Sequence, residues 1–215
     1  MDKRERLIGL VARGQTALLL QEMQVGVIGS ESGLPALAEA AASVGIVDRV
    51  ATLAEAARRI GVPVVHCTAE NLPDGFGGNR NARLFVAARK AGMANLPGSD
   101  SVQPVPEIGP EPGDVVLPRY HGLSPMTGSP LDSLLRNEGV STVVVVGVSL
   151  NVAIPNLVLD AVNRSYQVVV VSDAVAGIPV EYGEQVVAHT LAAIATVCTT
   201  DELVDAWTGS PPTDD

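Results

Sequence analysis

Residues 142–153 read TVVVVGVSLNVA, and this stretch decides the fold. Its first half is short, β-branched and free of charge, which predicts a strand over residues 142–147 that is buried on both faces. Its second half opens an apolar segment with helical spacing, so a helix is predicted over residues 152–163. A buried strand that leads directly into a helix is typical of a parallel sheet covered by helices.

Units of the same kind extend in both directions from this stretch. Further strands are predicted at residues 16–23, 62–67, 114–117, 167–171 and 195–199, and further helices at residues 34–60, 82–90, 130–137, 181–191 and 201–207. Alternation of this kind favours right-handed crossovers and a doubly wound sheet. We therefore predict an α/β protein with a six-stranded, mostly parallel sheet and helices on both faces. It would form a single domain over residues 1–215, with a core at 16–205 and a flexible tail at 208–215.

Composition and charge argue against several classes of function. Hydrophobic residues make up 47 % of the chain but aromatic residues only 3 %, so a core of aliphatic side chains is expected. The formal net charge is −10, and the sequence has no basic stripe of the kind that binds nucleic acid. No apolar run reaches the roughly 18 residues of a membrane span, and the charged start of the sequence is unlike a signal peptide. A cytoplasmic protein with buried free thiols at Cys67 and Cys198 is expected, binding neither nucleic acid nor membrane.

Ionisable side chains follow two of the predicted strands. In a doubly wound sheet, ligands bind beyond the carboxyl ends of the strands, near the point where the strand order reverses. Glu22 ends the first strand, and is either a solvent-facing residue or a buried acid with a raised pKa that transfers protons. Arg119 follows the third strand, and is either a surface charge or a bidentate clamp for a substrate carboxylate. His121 is a weaker candidate for orienting the substrate, because a single histidine is more often structural.

The turn after the strand at 142–147 offers backbone donors. Asn151 is predicted to cap the following helix, and the free amides of Val152 and Ala153 would bind an oxyanion or a carboxylate. The alternative is an ordinary connection between strand and helix. The sequence has no glycine-rich nucleotide motif and no His/Cys cluster with metal-ligand spacing, so neither a cofactor nor a metal is predicted.

These strand ends, in this order, resemble the isochorismatase-like hydrolases, also called cysteine hydrolases. The resemblance is carried by TALLLQEMQ at 16–24, VVLPRYHG at 115–122, GSPLDSLLRNEGVSTVVVVGVSLNVA at 128–153 and QVVVVSDAVAG at 167–177. It implies a Rossmann-like three-layer sandwich, a homodimer or homotetramer, and contacts between subunits in the Pro- and Gly-rich loop at 92–113. It also implies a cis peptide bond at Val148–Ser149.

The Asp, Lys and Cys that the family uses in catalysis fall here on Glu22, Arg119 and Ala153, although one extra residue leaves open whether Arg119 or a neighbour takes the Lys position. Alanine cannot act as a nucleophile, so thiol amidase chemistry is not expected. The first hypothesis is a hydrolase of a small polar or anionic molecule that uses noncovalent acid/base chemistry through Glu22. The second is an inactive relative that binds a small ligand or serves as an oligomeric partner. A third, a displaced nucleophile at Cys67, requires an exposed thiol with a low pKa.

Overall fold

The computed structural model describes residues 2–30, 32–90, 92 and 94–209. In chain order its helices and strands are α1 (Lys3–Leu10), β1 (Thr16–Gln21), α2 (Val25–Ile28), α3 (Pro35–Ser43), α4 (Ile46–Ile60), β2 (Val64–Ala69), α5 (Arg83–Lys90), β3 (Val115–Arg119), α6 (Pro125–Gly128), α7 (Leu131–Asn137), β4 (Thr142–Val148), α8 (Ala153–Asn163), β5 (Gln167–Ala176), α9 (Val180–His189), β6 (Thr196–Cys198) and α10 (Thr200–Thr208). Within the described ranges, every helix is too short or too polar to cross a bilayer.

The strands form one parallel sheet in the order β3-β2-β1-β4-β5-β6. The first strand of the chain, β1, lies in the centre and pairs with β2 on one side and β4 on the other. The chain winds outward from β1 to β3, returns to the centre at β4 and winds outward again to β6. The strand order therefore reverses between β1 and β4, where a crevice opens at the carboxyl ends. The predicted doubly wound, six-stranded α/β sheet is confirmed.

Each face of the sheet carries its own apolar core. Leu18 and Leu20 of β1 pack with residues of α3, α4 and α10, whereas Ala17 and Leu19 pack with residues of α7 and α8. Successive side chains of a strand point to opposite faces, so a strand between two layers of helices is covered on both sides. That coverage explains why every residue of β1 and of β4 is buried.

The structure changes several predicted boundaries. The helix predicted over 34–60 is two helices, α3 and α4, separated at Gly45, whose left-handed φ of 63° cannot continue an α-helix. β5 runs beyond the predicted end at 171 to Ala176, because its second half pairs with the end of β4 across an irregularity in register. Thr208, where the tail was predicted to begin, is still helical, and residues 210–215 lie outside the described part of the chain.

The N-terminal helix α1, which the sequence interpretation missed, packs against α10. Leu7 is 3 % exposed and belongs to the same core as α10. Two ion pairs lie at the edge of the contact, Lys3 with Glu202 and Arg4 with Asp205, each at 2.6 Å. Exposed pairs of this kind contribute little to stability, so burial of apolar surface holds α1 in place.

The two central strands approach closely at Gly147 in β4. Its φ of 108° lies in the region that glycine adopts readily and other residues do not. A Cβ atom at this position would lie 2.2 Å from the carbonyl oxygen of Gln21 in β1, far inside van der Waals contact. Glycine is therefore required at this position of β4, which passes Gln21 at the end of β1. Gln21 directly precedes Glu22 in the chain.

A buried network ties α4 to the segment that precedes β3. The Asp114 carboxylate accepts from Arg58 at 2.6 Å and from the Glu111 amide at 2.9 Å, and its Oδ2 lies 3.0 Å from Nε2 of His66. Arg58 also donates to the carbonyl of Ile108. Burial would raise the pKa of Asp114, but the hydrogen bonds from Arg58, Glu111 and His66 outweigh it and lower that pKa. Burial lowers the pKa of His66, and the hydrogen bond to Asp114 offsets this only in part.

We expect this network to make the protein less stable in acid. As pH falls through about 6.5, the ordinary pKa of histidine, the unfolded chain takes up more protons at His66 than the folded protein, in which that pKa is lowered, so stability falls. Below about pH 4 the Asp114 contribution is lost as well, as pH falls through its lowered folded pKa. Urea unfolding at a series of pH values measures both effects. His66→Gln should flatten the dependence between about pH 7 and 5.5, and an unchanged slope in that variant would contradict the assignment.

Candidate active site

A cavity of about 810 Å³ opens at the carboxyl ends of β1 and β4. Glu22 follows β1, Arg119 ends β3 and Ala153 begins α8, and all three line the cavity. Its outer wall is formed by α5 and the loops around it. The structure thus brings these three predicted residues together at the point where the strand order reverses.

Glu22 is fixed through both its backbone and its side chain. Its amide donates to the carbonyl of Cys67 at 2.9 Å, and its φ of 52° is left-handed, which is uncommon for a residue with a Cβ atom. Its Oε1 accepts from Arg119 at 2.5 Å and from Gln21 at 2.8 Å, whereas Oε2 accepts no hydrogen bond from the described residues. The side chain is 17 % exposed. Glu22 is therefore an ion-paired carboxylate at the cavity wall with one oxygen free, in a backbone conformation of a kind that is concentrated at functional sites.

Arg119 lines the cavity and is also hydrogen-bonded to neighbouring protein oxygens. Its side chain is 9 % exposed. One terminal nitrogen donates to Glu22 and the other to the carbonyl of Gly122, both at 2.5 Å. Gly128 leaves room for the aliphatic part, since a Cβ there would lie 2.6 Å from Cγ of Arg119. The guanidinium therefore holds the Glu22 carboxylate in place through this ion pair, and the predicted clamp for a substrate carboxylate stays a prediction.

His121 does not reach the cavity. It is exposed, and its neighbours Tyr120 and Gly122 line the cavity instead. The backbone reverses through Gly122, whose φ is 78°. The predicted contact between His121 and the substrate is therefore wrong in this structure.

The turn between β4 and α8 presents one backbone donor to the cavity. The peptide bond between Val148 and Ser149 is cis, the geometry that the resemblance implies. Val152 donates its amide to the carbonyl of Ser149 at 3.3 Å. The amide of Ala153, at the start of α8, has no acceptor among the described residues. Of the two amides predicted to be free, only that of Ala153 remains.

Asn151 does not cap α8. Val152 takes the N-cap position, and no side chain caps the helix there. The side chain of Asn151 instead pairs with the backbone of Ile178. Its Nδ2 donates to the Ile178 carbonyl at 2.5 Å, and its Oδ1 accepts from the Ile178 backbone N–H at 2.8 Å. The predicted cap is wrong because the side chain pairs with both backbone groups of a loop residue that would otherwise need partners. Asn151 and Ile178 both line the cavity, so this contact shapes its rim.

The sequence interpretation missed the apolar wall of the cavity. Leu84, Phe85 and Ala88 of α5 line it together with Leu96. None of the residues of α5 is buried, although five consecutive residues of this helix, 84–88, are apolar. The helix at 82–90 was predicted, and the available signal was this apolar run in a helix too short to contribute a core layer.

The free thiols lie away from this chemistry. Cys67 and Cys198 are both buried, and burial raises the pKa of each thiol to about 12. Cys67 contacts the site through its carbonyl, while its side chain belongs to the apolar core with Leu19. A buried thiol with a raised pKa is a poor nucleophile at neutral pH, which argues against the displaced-thiol hypothesis.

Iodoacetamide is therefore expected to label the native protein slowly, because reaction at either cysteine requires the chain to open first. Mass spectrometry of samples taken over several hours measures the labelling. The same reagent in strong denaturant should modify both thiols within minutes. Labelling of the native protein at the rate seen in denaturant would contradict the buried placement.

Ligands for a metal are not gathered at the site. Within the part of the chain that the structure describes, no group of three His, Cys, Asp or Glu side chains has the geometry to hold a metal ion. The cavity lining includes Glu22, Glu70 and Asp74, but Glu22 is engaged with Arg119 and Asp74 is exposed at the rim.

Comparison with known proteins places this arrangement in a wider group. Residues 16–202 match the model of the isochorismatase domain family. The ureidoacrylate amidohydrolase RutB of Methylobacterium radiotolerans is 32 % identical over 142 residues, which cover 60 % of this chain and 54 % of that protein. The match to the same enzyme of Methylorubrum extorquens spans only 28 % of its length.

Solved structures share the fold over nearly the whole chain. A cysteine hydrolase from Pseudomonas syringae pv. phaseolicola 1448A superposes with a TM-score of 0.79 at 22 % identity, covering 91 % of this chain and 93 % of that one. N-carbamoylsarcosine amidase from Thermoplasma acidophilum gives a TM-score of 0.68 at 26 % identity, with 87 % and 97 % covered.

Proposed function

This chain belongs to the isochorismatase family, and from that premise we propose that it hydrolyses a small polar molecule by noncovalent acid/base chemistry, with Glu22 as the proton-transferring group. The observation that carries the proposal is the free Oε2 of Glu22, on a carboxylate held by Arg119 at the wall of a cavity. A methyl group stands at position 153, where the resemblance expects a thiol. It leaves space for a water molecule in place of a covalent nucleophile. The names of the relatives, ureidoacrylate amidohydrolase and N-carbamoylsarcosine amidase, support hydrolysis of a C–N bond.

The proposed reaction follows from the positions of these groups. Oε2 of Glu22 accepts a proton from water as the water oxygen forms a bond to the electrophilic carbon of the substrate. The unpaired amide of Ala153 donates a hydrogen bond to the oxygen on which negative charge develops. The bond to the leaving nitrogen or oxygen then breaks, and that atom takes the proton from Glu22. The carboxylate is thereby regenerated, and no bond to the protein forms.

The test is a hydrolysis panel run on the purified protein with and without prior treatment by iodoacetamide. The panel holds a ureidoacrylate-type amide, an N-carbamoyl amino acid, a vinyl ether and an uncharged aromatic amide. We expect turnover of at least one compound at an unchanged rate after thiol treatment, and no added mass on the protein during the reaction. A covalent adduct on a cysteine would overturn the proposal. Compounds that bind without any turnover would instead favour the inactive relative.

We further propose that the protein works in the cytoplasm as a homodimer or homotetramer. Two free, buried thiols suit a reducing compartment. Exposed apolar side chains on α8 outside the cavity, Leu159 at 45 % and Val162 at 36 %, suit a contact between subunits. Light scattering coupled to size exclusion measures the state, and a monomer at micromolar concentration would contradict it.

A further inference from the structure

We infer that the cavity selects an uncharged ligand with an apolar, ring-sized body and rejects carboxylates. This inference concerns the ligand of the proposed active site. That the ligand is also the substrate rests on the proposed function. The sequence left polar and anionic substrates both open. The distribution of charge and apolar surface within the cavity distinguishes them.

At the inner end of the cavity, the charge of the guanidinium is already paired with a carboxylate of the protein. Arg119 is the guanidinium at that end, and its two terminal nitrogens bind Glu22 and the carbonyl of Gly122. Glu70, which follows β2, adds a second carboxylate to the lining. Its Oε1 accepts from Thr68, and it has no ion-pair partner among the described residues. Two carboxylates thus face one guanidinium, so an entering carboxylate meets net repulsion in a partly desolvated site.

The rim of the cavity does not reverse this balance. Arg89, the other cation in the described lining, is exposed on α5. Its guanidinium lies beside Gly75, next to the exposed carboxylate of Asp74 in sequence. Both charges are in contact with solvent, where screening weakens any attraction for an anion.

Two groups of apolar side chains belong to the cavity lining. Leu84, Phe85 and Ala88 of α5 form one group, and Val27, Leu34 and Leu37, from α2, α3 and the segment between them, form the other. A volume of about 810 Å³ lies toward the upper end of the range for ligand sites. A small, wholly polar molecule would leave these side chains in contact with water, whereas a hydrocarbon ring against them removes apolar surface from solvent.

The first test compares two probes of the same shape, 2-phenylacetamide and phenylacetate, binding to the wild-type protein at pH 7.5. Affinity is measured by calorimetry or NMR titration. We expect the amide to bind at least about tenfold more tightly than the carboxylate. Equal affinity, or tighter binding of phenylacetate, would overturn the inference. This test measures binding, so its result does not depend on whether the protein hydrolyses the probe. A protein that binds the amide but hydrolyses no compound would refute only the proposed function.

Two variants test which residues cause this selectivity, one at a carboxylate of the lining and one at an apolar residue of α5. Glu70→Gln removes a carboxylate and should strengthen phenylacetate binding about three- to tenfold while leaving the amide unaffected. Phe85→Ala should weaken 2-phenylacetamide binding about tenfold. Val86→Ala is the matched control, since Val86 is the next residue on α5, is 43 % exposed and does not line the cavity. Should Phe85→Ala disturb the helix, the Glu70→Gln result still decides, and an unchanged phenylacetate affinity in that variant overturns the charge argument.

Discussion

Glu22→Gln is expected to lower kcat by about 100-fold or more, because the neutral amide cannot accept the proton that the proposed reaction removes from water. The substitution keeps the size of the side chain and leaves an oxygen that can still accept from Arg119. Substrate affinity should therefore change much less than kcat. Steady-state kinetics on whichever compound the hydrolysis panel identifies measures both quantities. Wild-type kcat in this variant would remove Glu22 from the reaction.

A loss of stability must be separated from a loss of chemistry in that experiment. Glu22→Gln leaves the Arg119 guanidinium, whose side chain is 9 % exposed, without a charged partner. Breaking one side of such a pair can cost about 3 kcal/mol. The double variant Glu22→Gln/Arg119→Gln removes both charges, so it should recover part of that stability while kcat stays low. Recovery of activity together with stability would show that Glu22 acts only through the fold.

Gly147→Ala is expected to be among the most damaging substitutions in the chain, with a loss of more than about 4 kcal/mol in the free energy of unfolding. The new Cβ would lie 2.2 Å from the carbonyl oxygen of Gln21, so the two central strands would have to move apart. Those strands are packed on both faces, and a rigid core does not accommodate such a shift cheaply. Chemical denaturation, or the yield of folded protein where the variant is too unstable to purify, measures the effect.

Gly139→Ala supplies the matched control for that prediction. Gly139 also has a positive φ, 70°, but a Cβ there meets no atom within 4 Å. Its replacement should cost about 1–2 kcal/mol, the strain of a left-handed residue alone. The difference between the two variants isolates the contact between β4 and β1. Equal losses would show that backbone strain, and not this contact, makes Gly147 necessary.

The sheet could be predicted because its signals are local. Four consecutive valines at 143–146 identify a doubly covered strand without reference to the rest of the chain. The same local logic missed the break at Gly45, since Ala and Leu recur at helical spacing in the segments on both sides of it. It also missed α1, although Asp2 and Glu5 form a capping box at the start of this helix, because the packing of Leu7 against the core shared with α10 cannot be inferred from a local pattern.

The site was predictable only in part, because contacts between distant segments decide it. The rule that ligands bind at strand ends singled out Glu22 and Ala153, and both residues line the cavity. It could not show that Arg119 is engaged by two protein oxygens, or that Asn151 turns away from α8 to Ile178. The partners Glu22 of Arg119 and Ile178 of Asn151 lie 97 and 27 residues away along the chain. The contact of Arg119 with Gly122 depends on the path of the loop after β3. Spacing along the sequence carries no information of that kind.

The contact between α1 and α10 has a consequence for the connectivity of the chain. Residues at the two ends of the described fold, Lys3 and Glu202, lie within ion-pair distance. A short linker from Gly209 back to Asp2 would therefore close the backbone into a ring with little distortion, and a cut at the exposed turn around Gly139 would open it again between the two halves of the sheet. In such a circular permutant β4, β5 and β6 are synthesised before β1, β2 and β3, yet every strand keeps its neighbours. The order in which the halves are made is thus separable from the architecture they form.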